Sequence, residues 1–265
     1  MHGAYGEELA HSTGFEWLAR AGFVARGVIY VIIGILAVKL ATGSNGTTAN
    51  QQGALATVAH QPFGKVMLVL LAVGFAGYAL WRLTRALLGH GPEGADRGLD
   101  RIAAFASGAV YAGLCAIAIE ILAGSDTSSS GKGQAAGVFG WPAGTWLVGI
   151  AGIVAVGVGV YQAHKGISRD FLEDSKTEQM DPAVRKWMEA LGMIGYVARA
   201  IVFCLVGVFL VKAAVEFDPN KAVGLDGALA KVAHAPYGPV LLALVAAGLI
   251  AFGVYSLADA RYRRI

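Results

Sequence analysis

The chain has 265 residues, of which 56% are hydrophobic and only 15% are charged, against about 25% charged in typical soluble proteins. Its mean hydropathy is +0.58 and its formal net charge is +3. This apolar content excludes a disordered chain, and the 37 glycines follow no collagen-like period. The composition predicts a multi-pass membrane protein.

Six apolar segments are long enough to cross a bilayer, whose core of about 30 Å requires about 20 apolar residues in a helix. They cover residues 22–41, 64–83, 102–123, 143–163, 194–214 and 238–259. We therefore predict an all-α integral membrane bundle of six transmembrane helices.

The segments outside these spans are polar. Residues 1–21 form a predicted N-terminal tail without the apolar region of a signal peptide. Residues 84–101 form a polar loop, and residues 260–265 form a basic tail. The charged loop 164–193 is predicted to be solvated, with a short helix after Asp181-Pro182, since proline is tolerated in a first helical turn.

Basic residues are distributed unequally between the two faces of the predicted bundle. The two tails, the two polar loops and the adjoining helix ends hold 15 of the 21 basic residues, including all 12 arginines. Because basic residues accumulate on the cytoplasmic side of membrane proteins, we expect this face and both termini in the cytoplasm. The basic residues thus face the lipid bilayer boundary, and no nucleic-acid partner is expected.

The chain contains internal repeats. Phe23–Tyr30 (FVARGVIY) matches Tyr196–Phe203 (YVARAIVF), and Gly53–Gly64 (GALATVAHQPFG) matches Gly227–Gly238 (GALAKVAHAPYG). A weaker copy lies between them. The repeats predict three tandem helical hairpins of one orientation, related by an axis along the membrane normal. Their bounds are 22–83, 102–163 and 194–259.

The pattern A-R-x-G-[FY]-x-A-R-G-x-x-Y, which covers Ala19 to Tyr30, resembles the domain-of-unknown-function 1206 family of bacterial membrane proteins. The G-A-L-x-x-[VL]-x-x-x-P-x-G loop carries the same resemblance, which extends over residues 20–260. The middle copy departs from the pattern, because Ser107 replaces the arginine and Gly-Ala-Leu is missing before Trp141. The resemblance implies a two-helix unit repeated three times in a bacterial cytoplasmic (inner) membrane, and no activity.

Glycines recur in the even-numbered spans, namely Gly74, Gly77, Gly149, Gly152, Gly157, Gly159, Gly248 and Gly253. Small residues let helices approach closely in a bilayer, where hydrophobicity cannot drive their association. We therefore predict dense helix packing at these glycines. Cys115 and Cys204 lie inside apolar runs and are interpreted as small buried hydrophobic residues rather than a disulfide pair.

His60 and His234 are repeat equivalents, each two residues before a proline. Neutral imidazole ligates haem and metals, so the pair is a weak candidate for a haem or quinone contact. No carboxylate or cysteine accompanies them at a fixed spacing, and Gly140 replaces them in the middle copy. The preferred interpretation is an interfacial histidine, and we predict no metal site, no cofactor and no catalytic residue.

Arg26 and Arg199 are also repeat equivalents, a few residues inside the predicted cytoplasmic helix ends. Arginine at this depth either reaches the lipid headgroups or ties helices together, and a site for an anionic substrate is the alternative. Asp259 stands where the other copies have Arg85 and Lys165. We therefore predict that Asp259 pairs with Arg26, Arg199 or a neighbouring arginine.

Lys39, Glu120 and Lys212 fall into register near the outer ends of the odd-numbered spans. If the three hairpins surround one axis, two cations flank one anion in a poorly solvated layer. The alternative is that each side chain extends independently into the outer headgroups.

The favoured function is a non-enzymatic scaffold, assembly factor or accessory subunit with a membrane protein partner. Intramembrane ionisable residues mark substrate and ion paths, and this sequence has few of them. One alternative is a small transporter or channel with a pseudo-threefold bundle, and another is a redox-linked subunit that contacts haem or quinone. An enzyme is least supported, since no nucleophile–base pair or acid pair can be located.

Overall fold

The computed structural model describes residues 13–43, 49–88, 98–124, 141, 143–218 and 221–263. Parts of the predicted tails and of loop 84–101 lie outside these residues. The described residues form eight α-helices and no β-strand, which confirms the all-α fold. The helices are α1 (Thr13–Ala41), α2 (Gln51–Ala59), α3 (Gly64–Leu88), α4 (Gly98–Leu122), α5 (Gly144–Ser168), α6 (Pro182–Val215), α7 (Leu225–Ala233) and α8 (Gly238–Tyr262).

Six of these helices are long and apolar enough to cross a membrane, namely α1, α3, α4, α5, α6 and α8. The chain is therefore a multi-pass membrane protein, as its composition predicts. The short helices α2 and α7 connect spans at one end of the bundle, which we call the loop end. We call the opposite end, where Arg20, Arg82, Arg169 and Arg263 lie, the arginine end.

The spans start and stop as predicted at the loop end and extend beyond the prediction at the arginine end. The largest extension is in α6, which has 34 residues and begins at Pro182. At 1.5 Å per residue this helix is about 50 Å long, more than the bilayer core requires. Asp181 caps it by accepting a hydrogen bond from the Ala183 backbone N–H at 2.9 Å. The predicted helix after Asp181-Pro182 is thus the start of α6 and not a separate short element.

The six spans pack in a row in the order α4, α3, α1, α8, α6, α5. The three most extensive interfaces, α5/α6, α8/α1 and α3/α4, each join one sequence repeat to the next. Contacts within a repeat are smaller and link α1 to α3 and α6 to α8. Helices α4 and α5, which form the middle repeat, lie at opposite ends of the row and do not pack extensively in the part of the chain that the structure describes.

The three interfaces between repeats share one register. At each interface, equivalent residues of an odd-numbered span (α1, α4 or α6) and an even-numbered span (α3, α5 or α8) meet. A Cβ on Gly34 would lie 2.9 Å from the Ala246 carbonyl oxygen, one on Gly207 would lie 2.6 Å from the Gly152 carbonyl oxygen, and the Cys115 Sγ lies 3.4 Å from the Ala72 carbonyl oxygen. Such short distances require near-contact of the two backbones. The dense packing predicted at the glycines of the even-numbered spans is confirmed at Gly74, Gly77, Gly152, Gly159, Gly248 and Gly253. It is wrong at Gly157, where a Cβ would meet no atom within 4 Å.

The contacts within the first and third repeats also use glycine. Gly22 of α1 packs on Tyr78 of α3, and the equivalent Gly195 of α6 packs on Phe252 of α8. Gly74 of α3 similarly packs on Ala25 of α1. The middle copy has Ala103 and Val154 at the positions of Gly22 and Gly74. The middle copy therefore lacks the glycines that let the two helices of each other hairpin approach closely, and α4 and α5 are separated.

A Pro-x-Gly turn starts each even-numbered span. The residue before the glycine has a left-handed backbone in all three copies, with φ of 63° at Phe63, 64° at Ala143 and 58° at Tyr237. A Cβ on Gly64 or Gly238 would overlap carbonyl oxygens at the end of the preceding short helix. The glycine of this repeated motif is thus required because α2 and α7 end directly against the start of the next span.

Candidate functional site

Arg26 lies in the middle of α1 and is 5% exposed. Its guanidinium donates from Nε to Ser256 Oγ at 3.1 Å, from Nη1 to the Tyr78 hydroxyl at 2.8 Å and from Nη2 to Asp259 Oδ2 at 3.3 Å. Tyr78 belongs to α3, and Ser256 and Asp259 belong to α8. Arg26 therefore joins three spans, and its partners are protein side chains rather than lipid headgroups.

Further buried charges continue from Asp259 towards the arginine end. Asp259 accepts hydrogen bonds from Ser175 Oγ at 3.3 Å and from Arg263 Nη1 at 3.4 Å. Arg263 Nη2 lies 3.0 Å from Asp174 Oδ2, which also accepts from Lys165 Nζ at 2.9 Å. We call the series Arg26, Asp259, Arg263, Asp174 and Lys165 the buried charge chain. Cations and carboxylates alternate along it, so each buried charge lies beside an opposite one.

The segment between α5 and α6 supplies part of this chain. It lies against the bundle, because the Lys176 N–H donates to the Tyr262 carbonyl at 2.7 Å and Ser175 is fully buried. Phe171 is also fully buried, and its ring stacks on Tyr196 with centroids 5.2 Å apart. The prediction that this stretch is solvated is therefore wrong for Phe171, Asp174 and Ser175, although charged residues such as Glu173 and Lys186 are exposed. The charge of Asp174 is neutralised within the protein, which the composition alone does not reveal.

Arg199 of α6 is the repeat equivalent of Arg26, yet its surroundings differ. Its guanidinium carbon lies 4.2 Å from the ring centre of Phe252, 5.0 Å from that of Tyr30 and 5.7 Å from that of Phe203. The Nε atom is buried without a hydrogen-bond partner. No ion pair or hydrogen bond joins Arg199 to any residue that the structure describes. Its positive charge is held by aromatic faces alone.

Arg199 lines a cavity of about 130 Å³ between α1, α6 and α8. The short helices contribute one residue each, Gln51 from α2 and Leu225 from α7. The described residues that line it are Tyr30, Gln51, Arg199, Val202, Phe203, Val206, Leu225 and Leu249. They combine one guanidinium, one phenol and one amide with apolar walls, and none of them carries a carboxylate. This cavity, together with the buried charge chain beside it, is the candidate functional site.

The two histidines lie away from this cavity lining. His60 and His234 follow the last residues of α2 and α7, and both are exposed. The His234 Nδ1 lies 2.8 Å from the Ala230 carbonyl oxygen, one turn back on its own helix. Among the described residues, no three His, Cys, Asp or Glu side chains form a group that can hold a metal ion.

The charged residues near the loop end do not form the layer proposed from their register. Lys39, Glu120 and Lys212 are exposed, and no ion pair joins them to one another among the described residues. Lys212 Nζ lies 4.0 Å from Glu216 Oε1, one helical turn away. The three residues belong to α1, α4 and α6. Because α3 lies between α4 and α1 and α8 lies between α1 and α6, these side chains do not converge.

Sequence reasoning does not identify several members of the site. Tyr78, Ser256, Asp174 and Arg263 have no motif around them. Comparison of the repeats contains one usable signal, because Ser256 and Asp259 both replace arginines of the first copy, Arg82 and Arg85. Two basic-to-polar changes one turn apart indicate a new partner for a retained cation.

The sequence pattern of the family described as Domain of Unknown Function (DUF1206) matches three parts of the chain, residues 21–89, 102–169 and 194–263. This chain belongs to the DUF1206 family. The three matched parts correspond to α1 with α3, α4 with α5, and α6 with α8. The DUF1206 repeat is thus a two-span unit, as the sequence comparison indicates.

The chain is similar to the uncharacterized protein YxxB of Bacillus subtilis (strain 168), with 34% identity over 251 residues. The alignment covers 93% of this chain and 90% of that protein. No solved structure matches the chain. Similarity thus supports the DUF1206 architecture along nearly the whole length, and the cavity and the buried charge chain have to be interpreted from their own chemistry.

Proposed function

We propose that this DUF1206 protein is a non-enzymatic accessory subunit or assembly scaffold of the bacterial cytoplasmic membrane. In this proposal the arginine end faces the cytoplasm, because basic residues accumulate there. A membrane protein partner inserts a transmembrane helix between α4 and α5. The observation that carries the proposal is the uncovered inner surface of the middle repeat.

Equivalent positions show how much surface the middle repeat leaves uncovered. Val110 of α4 is 58% exposed, whereas its equivalents Ile29 and Val202 are 2% and 7% exposed. Tyr161 of α5 is likewise exposed, whereas its equivalents Trp81 and Tyr255 are buried. These residues belong to the faces through which α1 contacts α3 and α6 contacts α8, and we call them the hairpin faces of α4 and α5.

A packed helix fits these faces better than lipid chains alone. Gly157 of α5 has open space where a Cβ would be, although its equivalent Gly77 packs directly on the backbone of Leu18. Small residues favour helix–helix contact in a bilayer because they allow backbones to approach. The hairpin faces therefore retain the features of a helix interface, and no helix of the described residues packs extensively against them.

Site-specific photocrosslinking in cells tests this proposal. Benzoylphenylalanine at Val110 and at Tyr161 should form adducts with one and the same membrane protein. Val69 of α3 and Leu244 of α8 are matched controls, since both are exposed on apolar spans but lie in repeats whose hairpins are closed. Adducts of equal yield at all four positions would contradict a dedicated partner surface. An adduct that joins α4 to α5 would show that the protein closes this gap by itself.

A further inference from the structure

We propose that the cavity at Arg199 binds a small monocarboxylate, whose carboxylate group pairs with the Arg199 guanidinium. This site goes beyond the accessory function, since a scaffold requires no bound solute. The proposal rests on charge, hydrogen-bond donors and size, and each of these comes from the residues that line the cavity.

No residue of the described part of the chain pairs with the charge of Arg199. Its repeat equivalent Arg26 pairs with Asp259 at 3.3 Å, whereas no aspartate or glutamate lines the Arg199 cavity. A cation inside a membrane protein without an opposite charge is costly. A bound anion would therefore supply the negative charge beside Arg199 that Asp259 supplies beside Arg26.

The described residues also accept no hydrogen bond from Arg199, and comparison of the repeats shows why. In the first copy the Tyr78 hydroxyl accepts from Arg26 at 2.8 Å. Phe252 occupies the equivalent position in the third copy and offers a ring face to Arg199 at 4.2 Å, but it has no hydroxyl. The Arg199 Nε consequently remains buried and without a partner. Guanidinium N–H groups match the two oxygens of a carboxylate in geometry and charge.

The remaining lining residues define the rest of the ligand. Tyr30 and Gln51 bring further hydrogen-bond donors to the cavity, and Val202, Val206 and Leu249 form an apolar wall. A cavity of about 150 Å³ in another protein holds benzene, so a cavity of about 130 Å³ holds an organic anion of roughly six heavy atoms. One guanidinium compensates one negative charge. These properties favour a short-chain monocarboxylate over doubly charged phosphate.

The test measures thermal unfolding of the purified full-length protein in a neutral detergent with increasing butyrate, at constant ionic strength. Because a ligand that binds the folded state stabilises it, butyrate should raise the unfolding midpoint with saturation. Butyramide has the same shape without the charge and should have no such effect. Inorganic phosphate and phosphatidylglycerol, added separately, represent the other sources of an anionic group.

Three variants assign the response to the cavity. Arg199→Gln should still fold, because the lost aromatic contacts of the guanidinium are offset by the removal of an unpaired charge. It should raise the half-saturating butyrate concentration by about tenfold or more, as expected when a charged hydrogen bond is lost. Arg185→Gln removes the same charge from an exposed position of α6 and should leave the response intact. Val206→Phe should abolish the response by filling the cavity while the charge remains.

Several results would overturn the proposal. A midpoint that rises equally with butyrate and butyramide, or does not respond to butyrate, would exclude a carboxylate site. A saturable response to phosphate or to phosphatidylglycerol without one to butyrate would assign the anion to a phosphate source. If Arg199→Gln does not fold, Val206→Phe decides alone, and an undiminished butyrate response in that variant would place the binding elsewhere.

Discussion

A pair of equivalent arginines shows how one residue type acquires two roles in a repeat protein. Arg26 and Arg199 arise from the same motif position, and both contact the ring of Phe252, at 5.3 Å and 4.2 Å. Their difference comes from the neighbouring span, where Tyr78 of the first copy corresponds to Phe252 of the third. The Tyr78 hydroxyl and the Asp259 carboxylate make Arg26 a structural residue, whereas no described residue offers Arg199 either group.

The buried charge chain leads to a prediction at Asp259, which is fully buried between Arg26 and Arg263. Asp259→Asn should lower the free energy of unfolding by about 3–5 kcal/mol, because it leaves a buried cation without its opposite charge. The measurement is denaturant unfolding in one detergent, followed by helical circular dichroism.

The control for this variant is Asp170→Asn, which removes a carboxylate whose side chain is 44% exposed and whose ion-pair partner is His164. The double variant Arg26→Met with Asp259→Asn should recover part of the loss, since a buried ion pair can be replaced by neutral residues. A cost at Asp259 no larger than that at Asp170, or no recovery in the double variant, would refute a stabilising role for the pair.

At the scale of the helix, the sequence predicts the spans well and their packing only in part. Apolar runs locate the loop ends of all six spans. The even-numbered spans begin there at a Pro-x-Gly turn, and the odd-numbered spans end there together with their apolar runs. The apolar runs underestimate the length of α6, because its first turns contain charged residues that are nevertheless helical after the Asp181 cap. The buried position of Phe171 and Asp174 depends on Tyr196, Lys165 and Arg263, which are distant in sequence or unmarked by any motif.

The shared register of the interfaces gives a prediction for glycine. Gly207→Ala in α6 places a methyl group 2.6 Å from the Gly152 carbonyl oxygen of α5. Overpacking costs about 1–3 kcal/mol, which exceeds the gain of about 1 kcal/mol that alanine brings to a helix. The protein should therefore lose thermal stability. Gly113→Ala in α4 meets no atom within 4 Å and should leave stability equal or slightly raised, and equal losses for both variants would contradict the packing.

For the whole molecule, tandem repetition predicts the order in which the helices pack but not the gap between α4 and α5. Each odd span packs on the even span of the preceding repeat, and α1 packs on α8 to join the last repeat to the first. This cyclic order is what an axis along the membrane normal implies. The gap between α4 and α5 follows from side-chain size, because Ala103 and Val154 replace glycines that close the other hairpins. Charged residues placed in register, such as Lys39 and Glu120, do not converge, because an even-numbered span lies between the helices that carry them.

The orientation of the bundle gives the last prediction, since the arginine end is expected on the cytoplasmic side. Cysteine at Thr42 or His234, both exposed at the loop end, should react with a membrane-impermeant maleimide on intact cells. Cysteine at Glu173 or Ala183, both exposed at the arginine end, should react only after the membrane is permeabilised. The wild-type chain, whose Cys115 and Cys204 lie within spans and are half-buried, measures the background. Labelling in the reverse pattern would place the arginine end outside and refute the cytoplasmic assignment, while the packing of the spans would be unaffected.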